Sequence, residues 1–182
     1  MSDFNNDFSK ATNFFINNKH KLEDCLEGNL INIELDNKSL AKTLDRESGI
    51  DYFFIDKNKQ LFGVSARVNF NLSMHKSVTI RCSRGKGKNK RYNNIEFKKG
   101  VDAYKNKKSP VIASLGLQMD ADDKKIKEFI IYDRKQLFLY SHENYNEIKD
   151  KKLKTVKKDG NTYLYFKYSD FKEMGIWHKI YK

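Results

Sequence analysis

The sequence predicts a single α/β (α+β) domain built around a mixed β-sheet. Apolar residues at the N-terminal end recur at helical spacing, which indicates an amphipathic helix. Two apolar runs, 52–55 and 60–70, flank four turn-forming residues and predict a β-hairpin. The continuous apolar run 111–117 is typical of a central strand that is covered on both faces. With 182 residues, the chain can bury one substantial core.

The remaining elements are predicted in chain order. The helical stripe consists of Phe4, Phe8, Ala11, Phe15, Leu22 and Leu26. Alternation over 31–35 predicts a short strand, and a turn follows at 36–38. The β-rich run 77–83 is expected to extend the hairpin into an antiparallel meander.

Beyond residue 100 the pattern is less uniform. A helix is predicted around 101–104, while the segment 126–140 fits either a helix or a strand. Alternating aromatic residues over 163–168 predict a strand, and a helical turn is expected at 169–174. We therefore expect a core over about 1–120, with its sheet around 51–83 and 110–119, and a C-terminal β/α extension over about 121–182.

Positive charge dominates the composition. Thirty-six Lys and Arg against 24 Asp and Glu give a net charge of +12 and a pI near 9.5. The segment Arg84–Lys108 holds ten cations and two acids, hence 10 − 2 = +8 of that charge. A second basic stretch covers Lys149–Lys158, and aromatic residues alternate with cations in the first. Such clusters favour polyanions, above all nucleic acid, either DNA or RNA.

The residues expected to contact nucleic acid lie in or beside these two stretches. They are Arg81, Arg84, Lys86, Lys88, Lys90, Arg91, Lys98, Lys99, Lys105, Lys107, Lys108, Lys151, Lys152 and Lys154.

Cysteine usage and hydropathy point to a cytoplasmic protein. Cys25 and Cys82 show no spacing typical of a zinc site or a disulfide framework. No apolar run reaches the roughly 18–20 residues that span a bilayer, and the N-terminus lacks a signal-peptide core. We expect no membrane contact.

Three acidic residues, Asp45, Glu47 and Asp51, lie within seven positions ahead of the predicted hairpin. Carboxylates are the ligands that Mg²⁺ prefers, so these residues are candidate metal ligands. Arg67 and Arg81 follow on the next strands and are candidates for stabilising a phosphate. The alternative is structural, with Asp45 and Glu47 capping or pairing locally and Asp51 ordering a turn.

The arrangement around Asp51 resembles the PD-(D/E)XK restriction-endonuclease-like superfamily. In that family a helix precedes a strand headed by a Gly-Ile-Asp-like sequence, and the next strand ends with an acid, any residue and a lysine. Gly49-Ile50-Asp51 matches the first element, and Val64-Ser65-Ala66-Arg67-Val68 takes the place of the second. The resemblance implies an endonuclease-like core over residues 1–120, with the motif limited to 49–67.

By this resemblance Asp51 is the metal-binding aspartate, and Asp51 and Arg67 are the candidate catalytic residues. The chain departs from the pattern at two positions, because Ser65 replaces the acidic ligand and Arg67 replaces the lysine. A serine hydroxyl is not an anionic ligand, and arginine stays protonated. Glu34, Asp45 or Glu47 are alternative metal acids. The expected function is nucleic-acid binding on a nuclease-like scaffold, with Mg²⁺-dependent cleavage as the open alternative and non-cutting preferred.

A second interpretation is a non-enzymatic inhibitor encoded by a phage or mobile element. An anti-CRISPR protein that occupies a guide–effector complex would use the same basic patches against guide RNA, target DNA or an acidic protein face. The replaced acid at Ser65 is compatible with this interpretation.

Overall fold

Two β-sheets of unequal size organise the chain. The structure is a computed structural model and describes residues 2–70, 76–83, 95–106, 112–122, 125–155 and 161–182. Its helices are α1 (Ser2–Leu26), α2 (Ile33–Asp36), α3 (Lys38–Ser48), α4 (Ile95–Asn106), α5 (Arg134–Glu143), α6 (Tyr145–Lys152) and α7 (Asp170–Glu173). Its strands are β1 (Gly28–Ile31), β2 (Tyr52–Asp56), β3 (Leu61–Asn69), β4 (Ser77–Ser83), β5 (Ala113–Ala121), β6 (Ile126–Asp133), β7 (Leu153–Thr155), β8 (Thr162–Lys167) and β9 (His178–Tyr181).

The large sheet is mixed and has the strand order β1-β2-β3-β5-β6-β9. Only β3 and β5 run parallel, and every other neighbouring pair in this sheet is antiparallel. The parallel pair requires a long connection, because two parallel strands cannot be joined by a tight turn. The chain between them contains β4 and α4.

The small sheet has the order β4-β8-β7 and is antiparallel throughout. It packs on one face of the large sheet. On β6, Ile130 and Tyr132 belong to the core formed with β4, β8, α4 and α5, while Phe129 belongs to the core formed with α1. Since successive side chains of a strand point to opposite faces, the large sheet is a central layer between α1 and the small-sheet half.

The mixed α+β fold is confirmed. The structure shows α1, the β2–β3 hairpin, α4 and β5 at the predicted places, and β5 lies between β3 and β6. The C-terminal part contains β and α elements as predicted, and its strands join both sheets: β6 and β9 complete the large one, and β7 and β8 the small one.

Two predicted elements are wrong. Residues 33–36 form α2 and not a continuation of a strand, with Ile33 buried against Ile50 and Leu35 exposed. Three alternating apolar residues are too few to separate a strand from one helical turn. The run 77–83 does form a strand, but it pairs with β8 and does not extend the hairpin into a meander, because β5 takes the place beside β3.

The segment 126–140, whose type the sequence leaves open, contains both structures. It forms β6 and then α5, and Asp133 marks the boundary as the helix N-cap, accepting a hydrogen bond from the Gln136 amide at 2.8 Å. Within the described residues, no helix is both long and apolar enough to cross a membrane.

Candidate functional site

Asp51 is placed by the end of α3. Gly49 closes the helix in the left-handed conformation, with φ of 62°, and its amide donates to the Asp45 carbonyl. Glycine suits this position because a side chain would strain that backbone. The turn buries Ile50 and delivers Asp51 to the edge of β2.

Asp51 and Arg67 are brought together in the sheet, as the sequence predicts. The β2–β3 register pairs Tyr52 with Val64, so Asp51 falls opposite Ser65 and one step from Arg67 on the same face. The Asp51 amide donates to the Val64 carbonyl at 2.9 Å. The Asp51 carboxylate accepts a hydrogen bond from the Ala66 amide at 2.7 Å. This β3 amide therefore has a partner at the point where β2 begins.

Burial raises the pKa of the Asp51 carboxyl to about 7. The hydrogen bond from Ala66 and the positive charges of Arg67 and Arg134 lower this pKa, and the negative charge of Asp45 raises it. The effect of burial on this pKa is larger than that of the groups that stabilise the charged carboxylate. Asp51 is therefore partly protonated near neutral pH.

Arg67 links the two sheets. One guanidinium nitrogen donates to both the carbonyl and the hydroxyl of Thr79 on β4, at 3.2 Å in each case. This side chain runs from the central layer to the small sheet. Its charge is therefore held by a structural contact as well as lying beside Asp51.

Arg134 is a buried charge that the sequence prediction missed. It opens α5, is 6% exposed, and donates to the Tyr104 hydroxyl at 2.7 Å. Its guanidinium lies 4.3 Å from the Phe138 ring centroid, and a Cβ at position 49 would come within 3.3 Å of it. The available signal was Asp133-Arg134, a charged pair inside the apolar run 129–138.

The charges around Asp51 bear on the predicted Mg²⁺ site. The positive charges of Arg67 and Arg134 act on the Asp51 carboxylate. Positive charge beside a carboxylate opposes the binding of a metal cation there. Within the described residues, no group of three His, Cys, Asp or Glu side chains could hold a metal. Asp45 is exposed on α3, and the structure does not describe the Glu47 side chain. The Mg²⁺ site at Asp45, Glu47 and Asp51 stays a prediction.

The described candidate cations lie on the small-sheet half of the molecule. Lys98 and Lys105 are exposed on α4, which packs against β4, and Lys151 is exposed on α6, which packs against β8. Lys154 is exposed on β7, and Arg81 is half-buried on β4. The three strands of the small sheet contain Arg81, Lys154 and Lys167 and no acidic residue.

Lys152 has an internal partner. Its ammonium bonds the carboxylate of Asp170, which also accepts from the Lys167 amide at 2.7 Å. This contact ties α6 to α7 and leaves Lys152 half-buried. The backbone around Lys99 is described without its side chain. The other candidate cations lie outside the described residues: Arg84, Lys86, Lys88, Lys90, Arg91, Lys107 and Lys108.

A second buried carboxylate, Asp120, also joins the sheets. It is 4% exposed on β5 and accepts from the Tyr168 hydroxyl at 2.8 Å and the Lys76 amide at 3.2 Å. Burial raises the pKa of Tyr168, and the charge of Asp120 raises it further, so the phenol stays protonated and donates. The Asn69 amide is 3.4 Å from the same carboxylate.

Searches against protein-family models, curated proteins and solved structures found no match to this chain.

Proposed function

We propose that this chain binds nucleic acid through its small-sheet half, on a nuclease-like scaffold that does not cleave. The observation that carries the proposal is the placement of Lys98, Lys105, Lys151 and Lys154. Three of them are exposed on α4 and α6, which pack against the small sheet, and Lys154 is exposed on its strand β7; the three strands of this sheet carry no acid. Exposed cations bind phosphates by releasing condensed counterions, without reading base sequence.

The scaffold part of the proposal is supported by the order of elements at Asp51. Helix α3, the Gly49-Ile50-Asp51 turn, β2 and β3 follow one another, and Asp51 lies opposite Ser65. This is the arrangement that the resemblance to PD-(D/E)XK proteins implies. A raised carboxyl pKa, two neighbouring arginines and a serine at the acid position favour binding without hydrolysis.

The test combines binding with cleavage. Labelled single- and double-stranded DNA and RNA are titrated with the protein at several salt concentrations, then incubated with Mg²⁺ or Mn²⁺. We expect salt-dependent binding and intact substrate, with Asp51→Asn behaving like the parent. Metal-dependent cutting that Asp51→Asn abolishes would instead establish a nuclease.

A quadruple variant locates the interface. Replacing Lys98, Lys105, Lys151 and Lys154 by alanine removes four candidate phosphate contacts and should flatten the slope of log K against log salt by about 3. The control replaces Lys38 and Lys42 on α3, Lys125 just before β6 and Lys127 on β6, and removes the same charge. Equal losses in both variants would indicate a net-charge effect and contradict this interface.

The alternative, an inhibitor of a host defence complex, is supported by a different surface. Trp177 is 52% exposed beside an open, largely apolar pocket of about 380 Å³, which Phe54, Phe62 and Ile131 also line. Exposed aromatic residues next to apolar pockets are common anchors for protein partners. If the protein binds no nucleic acid, we expect it to inhibit a CRISPR effector in vitro and Trp177→Ala to weaken that inhibition.

For both functions we propose a cytoplasmic location, because nucleic acid and effector complexes are found there. Neither Cys25 nor Cys82 forms a disulfide within the described part of the chain, which suits a reducing compartment.

A further inference from the structure

The small sheet carries two tyrosines on the face turned away from its core. On β8, Leu164 and Phe166 point into the core shared with β4, α4 and α5, so Tyr163 and Tyr165 point to the opposite face. Both tyrosines are half-buried, and their ring centroids are 6.2 Å apart at an interplanar angle of 69°. They form a short aromatic ladder along the middle strand.

Cations flank this ladder on both sides. The β4–β8 register places Arg81 opposite Tyr163, and the β7–β8 register places Lys154 opposite Tyr163 from the other edge. The Lys154 ammonium is 5.3 Å from the centroid of the Tyr165 ring. Lys167, two residues beyond Tyr165, is exposed on the same face.

The remaining groups on this face are polar and small. Thr79, whose hydroxyl accepts from the Arg67 guanidinium, lies opposite Tyr165, and Ser77 lies opposite Lys167. The Asn161 amide is 3.4 Å from the Tyr163 hydroxyl. The face therefore combines two aromatic rings, three cations and hydroxyl groups, and its strands contribute no carboxylate.

We propose that this face, defined by Arg81, Lys154, Tyr163, Tyr165 and Lys167, is a stacking platform for single-stranded nucleic acid. The proposal rests on the proposed nucleic-acid binding and names its preferred substrate. A single strand exposes base faces that stack on tyrosine rings while its phosphates meet the flanking cations. In a duplex the bases already stack on one another, so the tyrosine rings add no stacking energy to duplex binding.

Charge complementarity selects this occupant. A face whose described strands carry three cations and no acid attracts a polyanion, and the aromatic rings at its centre distinguish a strand with exposed bases from a duplex backbone. Stacking does not depend on base identity, because every base has a π-face. The platform therefore predicts a preference for single strands with little sequence selectivity.

The test compares two double variants of the whole chain. Tyr163→Leu/Tyr165→Leu removes the rings and keeps apolar side chains, whereas Tyr163→Phe/Tyr165→Phe keeps the rings. We expect the leucine variant to bind a labelled single-stranded oligonucleotide at least about 10-fold more weakly, while duplex binding stays within about twofold. The phenylalanine variant should match the parent. Trp177→Leu, an exposed aromatic at the end of the large sheet, is the control and should change neither affinity.

The outcomes separate the two proposals. If the parent binds no nucleic acid, the proposed function fails, and the platform fails with it. If the parent binds but the leucine variant binds single strands equally well, or loses single strands and duplex alike, the platform is overturned while nucleic-acid binding stands.

A second measurement covers a leucine variant that does not fold. Bromouridine-substituted single strands are photo-crosslinked to the parent protein, and the modified peptides are identified by mass spectrometry. Crosslinks on β8 support the platform. Crosslinks confined to other elements contradict it.

Discussion

Asp51 illustrates how one side chain can serve a structural purpose at a position that suggests catalysis. Its carboxylate accepts a hydrogen bond from the Ala66 amide of β3 at 2.7 Å, at the point where the pairing with β2 begins. An unpaired buried amide would cost about 1–3 kcal/mol, which is reason enough for an acceptor here. Asparagine could also accept this bond, so the charge itself is the part to test.

We expect Asp51→Asn to remove a pH dependence of stability. The folded pKa of Asp51 is raised from 3.8 to about 7, so the folded protein retains a proton that the unfolded chain releases. Stability should fall as pH rises from about 4 to 7, by at most about 4 kcal/mol, and the loss is complete above pH 7. Urea unfolding at pH 4, 5.5 and 7 should show that the free energy of unfolding of the variant rises relative to that of the parent as the pH increases. Asp150→Asn, an exposed control, should follow the parent, and a pH-independent difference for Asp51→Asn would contradict the raised pKa.

Arg67 gives a second prediction at the same scale. Arg67→Met removes both hydrogen bonds to Thr79 and should lower the free energy of unfolding by about 2 kcal/mol. Nucleic-acid affinity should remain unchanged once folding is complete. Lys42→Met, exposed on α3, is the matched control and should cost little. A large loss of affinity in folded Arg67→Met would show that Arg67 contacts phosphate.

Single elements are fixed by local contacts that can be tested one at a time. The β6–α5 junction depends on Asp133. Its carboxylate caps the helix by accepting from the Gln136 amide, and its own amide donates to the Trp177 carbonyl at 2.9 Å. Arg134 follows at once and points into the core. One residue therefore ends a strand, begins a helix and positions a buried cation.

Asp133→Ala should destabilise the protein by about 1 kcal/mol, because it removes the N-cap of α5. Lys135→Ala, exposed on the same helix two residues later, should change stability by less than about 0.5 kcal/mol. The urea midpoints of the two variants provide the comparison. Equal midpoints would show that this cap contributes nothing.

At the scale of the whole molecule, buried polar contacts join the two sheets into one cooperative unit. Asp120 on β5 receives Tyr168, which follows β8, and the Lys76 amide, which precedes β4. Arg67 adds a link from β3 to β4. Each contact spans the layers, so opening one sheet would expose charged groups of the other.

We therefore expect the two sheets to unfold together. Hydrogen exchange should give the same opening free energy for amides of β5 and of β8. Tyr168→Phe should lower both values equally, by about 2 kcal/mol, since Asp120 loses a hydrogen bond to its buried carboxylate. Tyr140→Phe on α5 should lower neither. A loss limited to β8 would show that the small sheet unfolds separately.

Periodicity alone predicted the elements that are long or uniformly apolar. The stripe in α1, the hairpin loop between β2 and β3, and the run that became β5 are local signals that survive any tertiary arrangement. The short alternation at 31–35 failed because one turn of helix and a strand share that pattern. Segment 126–140 was ambiguous because it contains a strand and a helix.

The juxtaposition of Asp51 and Arg67 was predictable, because both lie on neighbouring strands of one hairpin. Arg134 and Asp120 were not, since each reaches its partners from elements distant in sequence: Arg134 is 30 residues from Tyr104, and Asp120 is 48 from Tyr168. Pairing across such separations depends on packing, which leaves no fixed spacing in the sequence.

The sequence by itself determined the α+β class, the hairpin that holds Asp51, and the excess of positive charge. Tertiary structure alone decided that β4 pairs in a second sheet and not with the hairpin, that the described candidate cations lie on or beside this second sheet, and that Tyr163 and Tyr165 share a face with Arg81 and Lys154. The physical reason is that local periodicity specifies which face of an element is apolar, whereas strand pairing is set by the competition among all apolar faces for burial.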